Sequence, residues 1–246
     1  MEYRICEDSR GDWLRNIVSL RKTIDLFAEL VGDPADTRVL IEHELATKPT
    51  REPAPIISRP FEEAALYDPI QAAIAWPFEH PCRTRYSDGS YGVWYGARTL
   101  ETSIRETVHH FRRDTLASEI AARSRAPIYQ ERRVHRVRCG AMLVDLRALC
   151  AEEPRLIDPD DYSYCRSLGA QLREAALPGL QSRSVRHAGG EIAGIFLRQA
   201  LSDPRDVCYL TYVLDPGSGR VDVERTPGKA EWTVGEPGTR RLRHTG

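Results

Sequence analysis

The stretch Arg83–Phe111, RTRYSDGSYGVWYGARTLETSIRETVHHF, gathers side chains suited to holding an anionic, ring-bearing ligand beside a carboxylate. Arg83 and Arg85 share a face if their segment is extended, which makes a two-guanidinium grip for an anion, although solvated arginines are the ordinary alternative. Trp94 and Tyr95 are adjacent aromatics on a strand, so they point to opposite faces and cannot both enter one core. One of them is therefore available to stack on a ligand. Glu106 follows on a helix. Far along the chain, Ser184 and Arg186 lie in S-R-S-V-R just before Gly189-Gly190, where they can hydrogen-bond a phosphate or an amide. No G-x-S-x-G elbow surrounds Ser184, which argues against a hydrolase nucleophile.

These residues need particular elements to position them. Asp88-Gly89 predicts a turn, Tyr91–Ala97 a strand, and Thr99 to about Phe111 a helix. Ile104, Val108 and Phe111 recur at helical spacing and form an inward stripe. Glu106 lies about two hundred degrees from Ile104 and so faces away from that stripe. Two readings stay open for it, a solvated helix charge or a carboxylate lining a cleft. His109 and His110 are neighbours and do not make the i, i+4 pair of a metal site.

Elsewhere, Asp12 as a cap, Ile17, Leu20, Ile24, Phe27 and Val31 at alternating spacings of three and four, and a stop at Gly32 predict a helix over 12–31. A second helix is expected over 37–46. Four prolines within 48–60 predict an extended linker. Ile70–Trp76 fits a strand or a short helix, and a polar helix is expected over 115–123. Val134–Arg138 and Ala141–Leu146 read as strands, 152–162 as an acidic loop, and Cys165–Ala175 as a helix. Strands follow at Ile192–Leu197, Val207–Val213 and Val221–Val223, the last two a hairpin. The tail from Thr226 is expected to be frayed. Strands interrupted by helices, then a late hairpin, define an α+β class. Residues 1–50 are read as an N-terminal helical segment packed on the core, 51–225 as the main domain and 226–246 as a C-terminal tail.

A formal net charge of −1 over 246 residues argues against direct contact with nucleic acid. The six cysteines show no C-x-x-C and read as free thiols of a reducing compartment, with no metal expected. Neither an apolar leader nor a membrane-length apolar run is present, so a cytoplasmic, membrane-free protein is expected.

Taken together, Arg85-Tyr86, the W-Y-G of Trp94–Gly96, L-E-T-S-I-R-E ending at Glu106, and Ser184–Arg186 with its Gly-Gly turn resemble the RES-domain family. That family is named for an arginine, a glutamate and a serine. The resemblance runs from about Lys48 to Val213, and Tyr95 followed eleven residues later by Glu106 is its most specific element. It implies a core similar to ADP-ribosyltransferases and the toxin of a bacterial toxin–antitoxin pair. It also implies NAD+ as substrate without a metal, and an Xre-type antitoxin as partner.

Carried across, Arg85, Tyr95 and Glu106 are the catalytic positions, with Arg83, Trp94, Ser184 and Arg186 binding substrate. Two positions depart from the pattern: Glu79 stands where longer members carry arginine, and Ile192 where many carry asparagine.

The chemistry suits these residue types. Nicotinamide leaves NAD+ as a neutral ring, so cleavage needs stabilisation of the positive charge growing on the ribose and no general acid. Glu106 can supply that charge, Tyr95 can stack on the cationic ring, and Arg85, helped by Arg83, can hold the pyrophosphate. Three readings follow: NAD+ glycohydrolase or phosphorylase, mono-ADP-ribosyltransferase acting on a protein, or a non-catalytic module that binds a partner.

Overall fold

The structure, a computed structural model, describes residues 4–19, 69–118 and 124–235, and the backbone of 240–241. The expected helix over 37–46 and linker over 48–60 lie outside the described residues. The strands, in chain order, are β1 (Ile5–Cys6), β2 (Gly11–Val18), β3 (Trp94–Ala97), β4 (Ile128–Cys139), β5 (Leu143–Asp145), β6 (Gly179–Arg183), β7 (Glu191–Ile195), β8 (Leu201–Leu214), β9 (Val221–Thr226), β10 (Lys229–Val234) and β11 (Arg240–Arg241). The longer helices are α1 (Pro69–Glu79), α2 (Leu100–Leu116) and α3 (Ser163–Glu174). Mixed strands with a few helices make the chain α+β, as its sequence pattern predicts.

Two units divide the chain, one taking in 1–16, 69–107 and 134–207, the other 17–68, 108–133 and 208–246. The dividing points fall inside β2, β4, β8 and α2, which contribute residues to both.

In the first unit the strands run β1-β5-β6-β7-β3-β2, all neighbours antiparallel except the parallel pair β5 and β6. Alternation along each strand sends neighbouring side chains to opposite faces. Val93, Val144 and Leu180 pack with Leu168 and Leu172 of α3, and Tyr95 lies against this cluster. Trp94, Leu143, Ala193 and Ile195 pack on the other face with Trp13 and with Ile74 of α1. Gly169 lets α3 approach closely, since a Cβ there would fall 2.1 Å from the Tyr86 carbonyl oxygen.

In the second unit β8, β9, β10 and β11 are joined in that order, with Phe111 tilted against Tyr212 at 6.0 Å between ring centroids.

Two expectations fail. Residues 12–18, read as the start of a helix, belong to β2, where Leu14 pairs with Ala97 of β3 and Trp13 is fully buried. A spacing signal that rests mainly on residues beyond 18 yields here to tertiary pairing. Residues 229–234, read as frayed tail, form β10, paired with β9 through two register shifts. Gly228, at φ +75° in the turn between them, takes a backbone shape that favours glycine. Ile70–Trp76 falls in α1, and α2 continues through 115–116 without a new start. All six cysteines are free, and four of them are buried. No helix among the described residues is long and apolar enough to cross a membrane.

One ion-pair cluster ties the ends of β1, β5 and β7 together. Arg147 donates to Asp145 at 2.9 Å, to Asp8 at 2.9 Å and to Glu191 at 3.1 Å. Hydrogen bonds from Arg147 hold the Asp145 carboxyl below its usual range. A carboxylate with a lowered folded pKa stabilises above its unfolded value, about 3.9, and loses that contribution as pH falls through the folded one. Arg147→Met is expected to cost about 2–3 kcal/mol at pH 7, because it strands the carboxylates it paired. The difference from wild type narrows below a pH of about 4. Urea denaturation at pH 7 and pH 3 tests this, and an equal difference at both would refute it.

Candidate active site

Thr99 opens α2 by accepting the Thr102 amide hydrogen bond at 3.2 Å on its side-chain oxygen, which sets the helix start just past β3. Ile104 and Val108 are fully buried on the inward stripe, and Glu106 is half-buried on a different side. Its partner is Ser184, which donates from Oγ to Glu106 Oε1 at 2.5 Å across 78 positions of sequence. That length belongs to charge-assisted O–H···O⁻ bonds. Among the described residues, Glu106 Oε2 takes no hydrogen bond, so one carboxylate oxygen is held and the other is open to a ligand.

Ser184 is itself fully used. Its hydroxyl accepts the amide of Arg186 at 3.2 Å and the amide of His187 at 3.0 Å, while its one proton goes to Glu106. A hydroxyl offers one donor and two acceptor sites. The geometry therefore gives Ser184 the task of fixing Glu106, in place of the direct ligand contact expected for it. The turn that follows is closed by Gly190 donating to the His187 carbonyl at 2.9 Å. His187 Nδ1 lies 2.8 Å from Thr102 Oγ1, which ties this turn to the first turn of α2.

Tyr95 points to the face opposite Trp94, as strand alternation predicts. Its phenol oxygen lies 2.9 Å from Thr84 Oγ1 and accepts the Tyr86 amide at 3.1 Å, gripping the residues on both sides of Arg85. Burial pushes the phenol above the ordinary tyrosine range, with the Thr84 hydrogen bond opposing it. The half-buried Arg85 stacks on Tyr162, its guanidinium carbon 4.0 Å from the ring centroid, and donates to the Asp158 carbonyl at 2.8 Å. Arg186 donates to the Pro159 carbonyl at 2.6 Å and to the Tyr162 hydroxyl at 3.4 Å.

Arg85, Tyr95, Glu106, Ser184 and Arg186 thus form one linked set within the first unit. Two expected members fall outside it. Trp94 is fully buried on the opposite face of the sheet, its indole donating to the Ala73 carbonyl at 2.8 Å, so it is core and cannot stack on a ligand. Arg83 is exposed, and among the described residues it makes no hydrogen bond to this set. The arginine that shares Tyr162 with Arg85 is Arg186. Sequence reasoning missed Tyr162, Arg166, Thr84 and His187. Tyr162 ends the acidic loop read over 152–162, but nothing in the sequence pairs it with Arg85.

A family model described as the RES domain matches residues 27–215, and the chain belongs to the RES-domain family. No curated protein matches it. Among solved structures, a chain of the crystal structure of the M. tuberculosis MbcT-MbcA toxin-antitoxin complex is similar at 16% identity and a TM-score of 0.38, covering 55% of this chain and 74% of that one.

Removing the Tyr95 hydroxyl leaves the Tyr86 amide without its acceptor. Tyr95→Phe is expected to cost roughly 1–2 kcal/mol in urea denaturation, the penalty of an unsatisfied part-buried donor. An unchanged midpoint would show that this hydroxyl does not anchor the Arg85 segment.

Proposed function

We propose that the chain is the toxin of a toxin–antitoxin pair that consumes NAD+ by breaking the nicotinamide–ribose bond. The observation that carries this reading is the 2.5 Å hydrogen bond from Ser184 to Glu106, which fixes one oxygen of a carboxylate and leaves the other open. Such a group suits charge stabilisation at a sugar carbon that becomes cationic as the pyridinium leaves. A preorganised carboxylate does this without reorganising at the moment of reaction, which is where its advantage over water lies.

The other members fit the same ligand. Arg85 and Arg186 carry permanent charges suited to a diphosphate, and a guanidinium can grip it bidentately. Tyr95 stays protonated and neutral, so it acts through its ring and its grip on Thr84 and Tyr86, and not as a base. Family membership supports the reading independently of the geometry. The partner on this reading is an Xre-type antitoxin that covers the arginines and Glu106. DNA is contacted by that partner and not by this chain, whose net charge is −1. The toxin acts in the cytoplasm, where NAD+ is at hand.

Incubation with NAD+ and chromatographic measurement of free nicotinamide tests the activity. Glu106→Gln is expected to slow release on the order of a hundred- to a thousandfold. Ser184→Ala is expected to slow it by about tenfold, because Glu106 then samples other rotamers. Wild-type protein that releases no nicotinamide sinks the proposal, and label transferred to a protein in place of free ADP-ribose redirects it to the transferase reading.

A further inference from the structure

Two side chains of one turn dock on one helix, a helical turn apart. Ser184 donates to Glu106, and His187 Nδ1 lies 2.8 Å from Thr102 Oγ1. Thr102 and Glu106 are four residues apart on α2, so they share a side and stand about 6 Å apart along its axis.

The second contact is enclosed. Thr102 is fully buried, and its hydroxyl also lies 2.8 Å from Thr99 Oγ1, the atom that caps the helix. His187 is half-buried, with Nε2 3.8 Å from Glu101 Oε1, which Arg105 holds in turn at 2.8 Å. The imidazole thus sits against two consecutive residues of the first turn of α2. Gly190 closes another side. A Cβ there would fall 2.8 Å from Thr102 Oγ1 and 2.9 Å from His187 Nδ1. Its backbone lies outside the left-handed region, so it is the neighbouring pair that demands glycine at 190.

His187 also acts through its main chain. Its amide donates to Ser184 Oγ at 3.0 Å, and its carbonyl accepts the Gly190 amide at 2.9 Å. The Ser184 amide donates to the Gly190 carbonyl at 2.8 Å and completes the turn. With the Arg186 amide at 3.2 Å, both acceptor sites of the hydroxyl are filled and its proton is left for Glu106. Opening the turn frees an acceptor site and lets the hydroxyl rotate toward another partner.

From this arrangement we infer, resting on the reading of Glu106 as the group that faces the sugar cation, that His187 is the positioning residue of that carboxylate and acts through Ser184. The imidazole is an anchor: Nδ1 fixes the turn on Thr102, and the turn aims the hydroxyl. A carboxylate that acts on charge formed in the transition state loses kcat when it is loosened, while substrate binding stays nearly as it was.

Nicotinamide release at saturating NAD+ and amide hydrogen exchange followed by NMR test this together. His187→Ala is expected to lower kcat about five- to tenfold, the weight of one part-buried hydrogen bond, with KM within about twofold. His187→Asn keeps a polar atom near the Nδ1 position and is expected to recover most of that loss. Gly190→Ala, which forces the pair apart, is expected to resemble His187→Ala. In a Ser184→Ala background, His187→Ala is expected to cost no more than about twofold further, because the residue it acts through is gone. The amides of residues 186, 187 and 190 are expected to lose protection in His187→Ala and to keep it in His187→Asn. Should His187→Ala fail to fold, Thr102→Val removes the same bond from the helix side, leaves its own amide on Thr99, and is expected to give the same pattern.

Equal losses from His187→Ala in the wild-type and Ser184→Ala backgrounds overturn the inference, since they describe a residue that only stabilises the turn. A folded His187→Ala or Thr102→Val with wild-type kcat overturns it as well. If wild-type protein releases no nicotinamide, protection that falls on loss of the His187–Thr102 bond keeps the anchor and removes the cleavage reading alone, and unchanged protection sinks the anchor too.

Discussion

Antiparallel pairing of β7 with β3 on one side and β6 on the other is the constraint on which the site depends. Ala97 at the end of β3 stands opposite Ile192, and Arg183 at the end of β6 stands opposite Glu191. The Arg98 amide extends the ladder past β3 by donating to the Glu191 carbonyl at 3.0 Å. The start of α2 and the turn carrying Ser184 therefore leave the sheet at the same end, flanking the start of β7. Glu106 lies two turns along that helix, and Ser184 is the first residue beyond β6. The register also decides which face each side chain takes, because a slip of one residue reverses every side chain. Tyr95 pairs with Gly194, where an added Cβ would meet its ring at an ordinary contact distance of 3.6 Å.

Charge is distributed unevenly around this framework. The Arg147 cluster at the β1, β5 and β7 ends is compensated, since one guanidinium meets three carboxylates. Around Tyr162 the balance is looser: Arg85 and Arg166 feel the charges of Asp158 and Asp161, whose carboxylates accept hydrogen bonds from amides of their own loop instead of from the arginines. At an effective dielectric near 20, an ion pair at 4 Å is worth about 4 kcal/mol of Coulomb energy, and a carbonyl dipole supplies only a fraction of that. The first cluster therefore stabilises the fold more than the second. Both are built from arginine, whose planar group retains its charge when half-buried. A chain with only three lysines in 246 residues has this chemistry available wherever it places a cation.

Local signals in the sequence were informative where the structure obeys local periodicity. The opposed faces of Trp94 and Tyr95 follow from strand alternation, and Glu106 stands off the Ile104 and Val108 stripe as helical geometry requires. The start of α2 at Thr99 follows from capping chemistry. Periodicity misled at residues 12–18, whose conformation is set by pairing with β3, and at 229–234, whose partner is β9. It was silent on Tyr162, because a contact between residues 85 and 162 leaves no trace at either position alone. Ser184 stood out by its place before a Gly-Gly turn, but its partner did not. Its hydroxyl looks available in sequence, and only the folded turn shows both lone pairs and its proton already engaged.

The two positions that depart from the family pattern sit differently with respect to this site. Glu79, at the end of α1, is exposed and lies 3.6 Å from Arg198, itself exposed. An ion pair of that kind contributes little, about 0–1 kcal/mol, and touches none of the linked residues. Ile192 is another matter. It is buried on β7 opposite both Ala97 and Ser182, on the face that Tyr95 shares. A buried amide there would need partners for up to four hydrogen bonds, whereas isoleucine needs none. With an apolar side chain in that register, position 192 itself adds no donor to this face. Among the described residues, the carboxylate takes its hydrogen bond from Ser184.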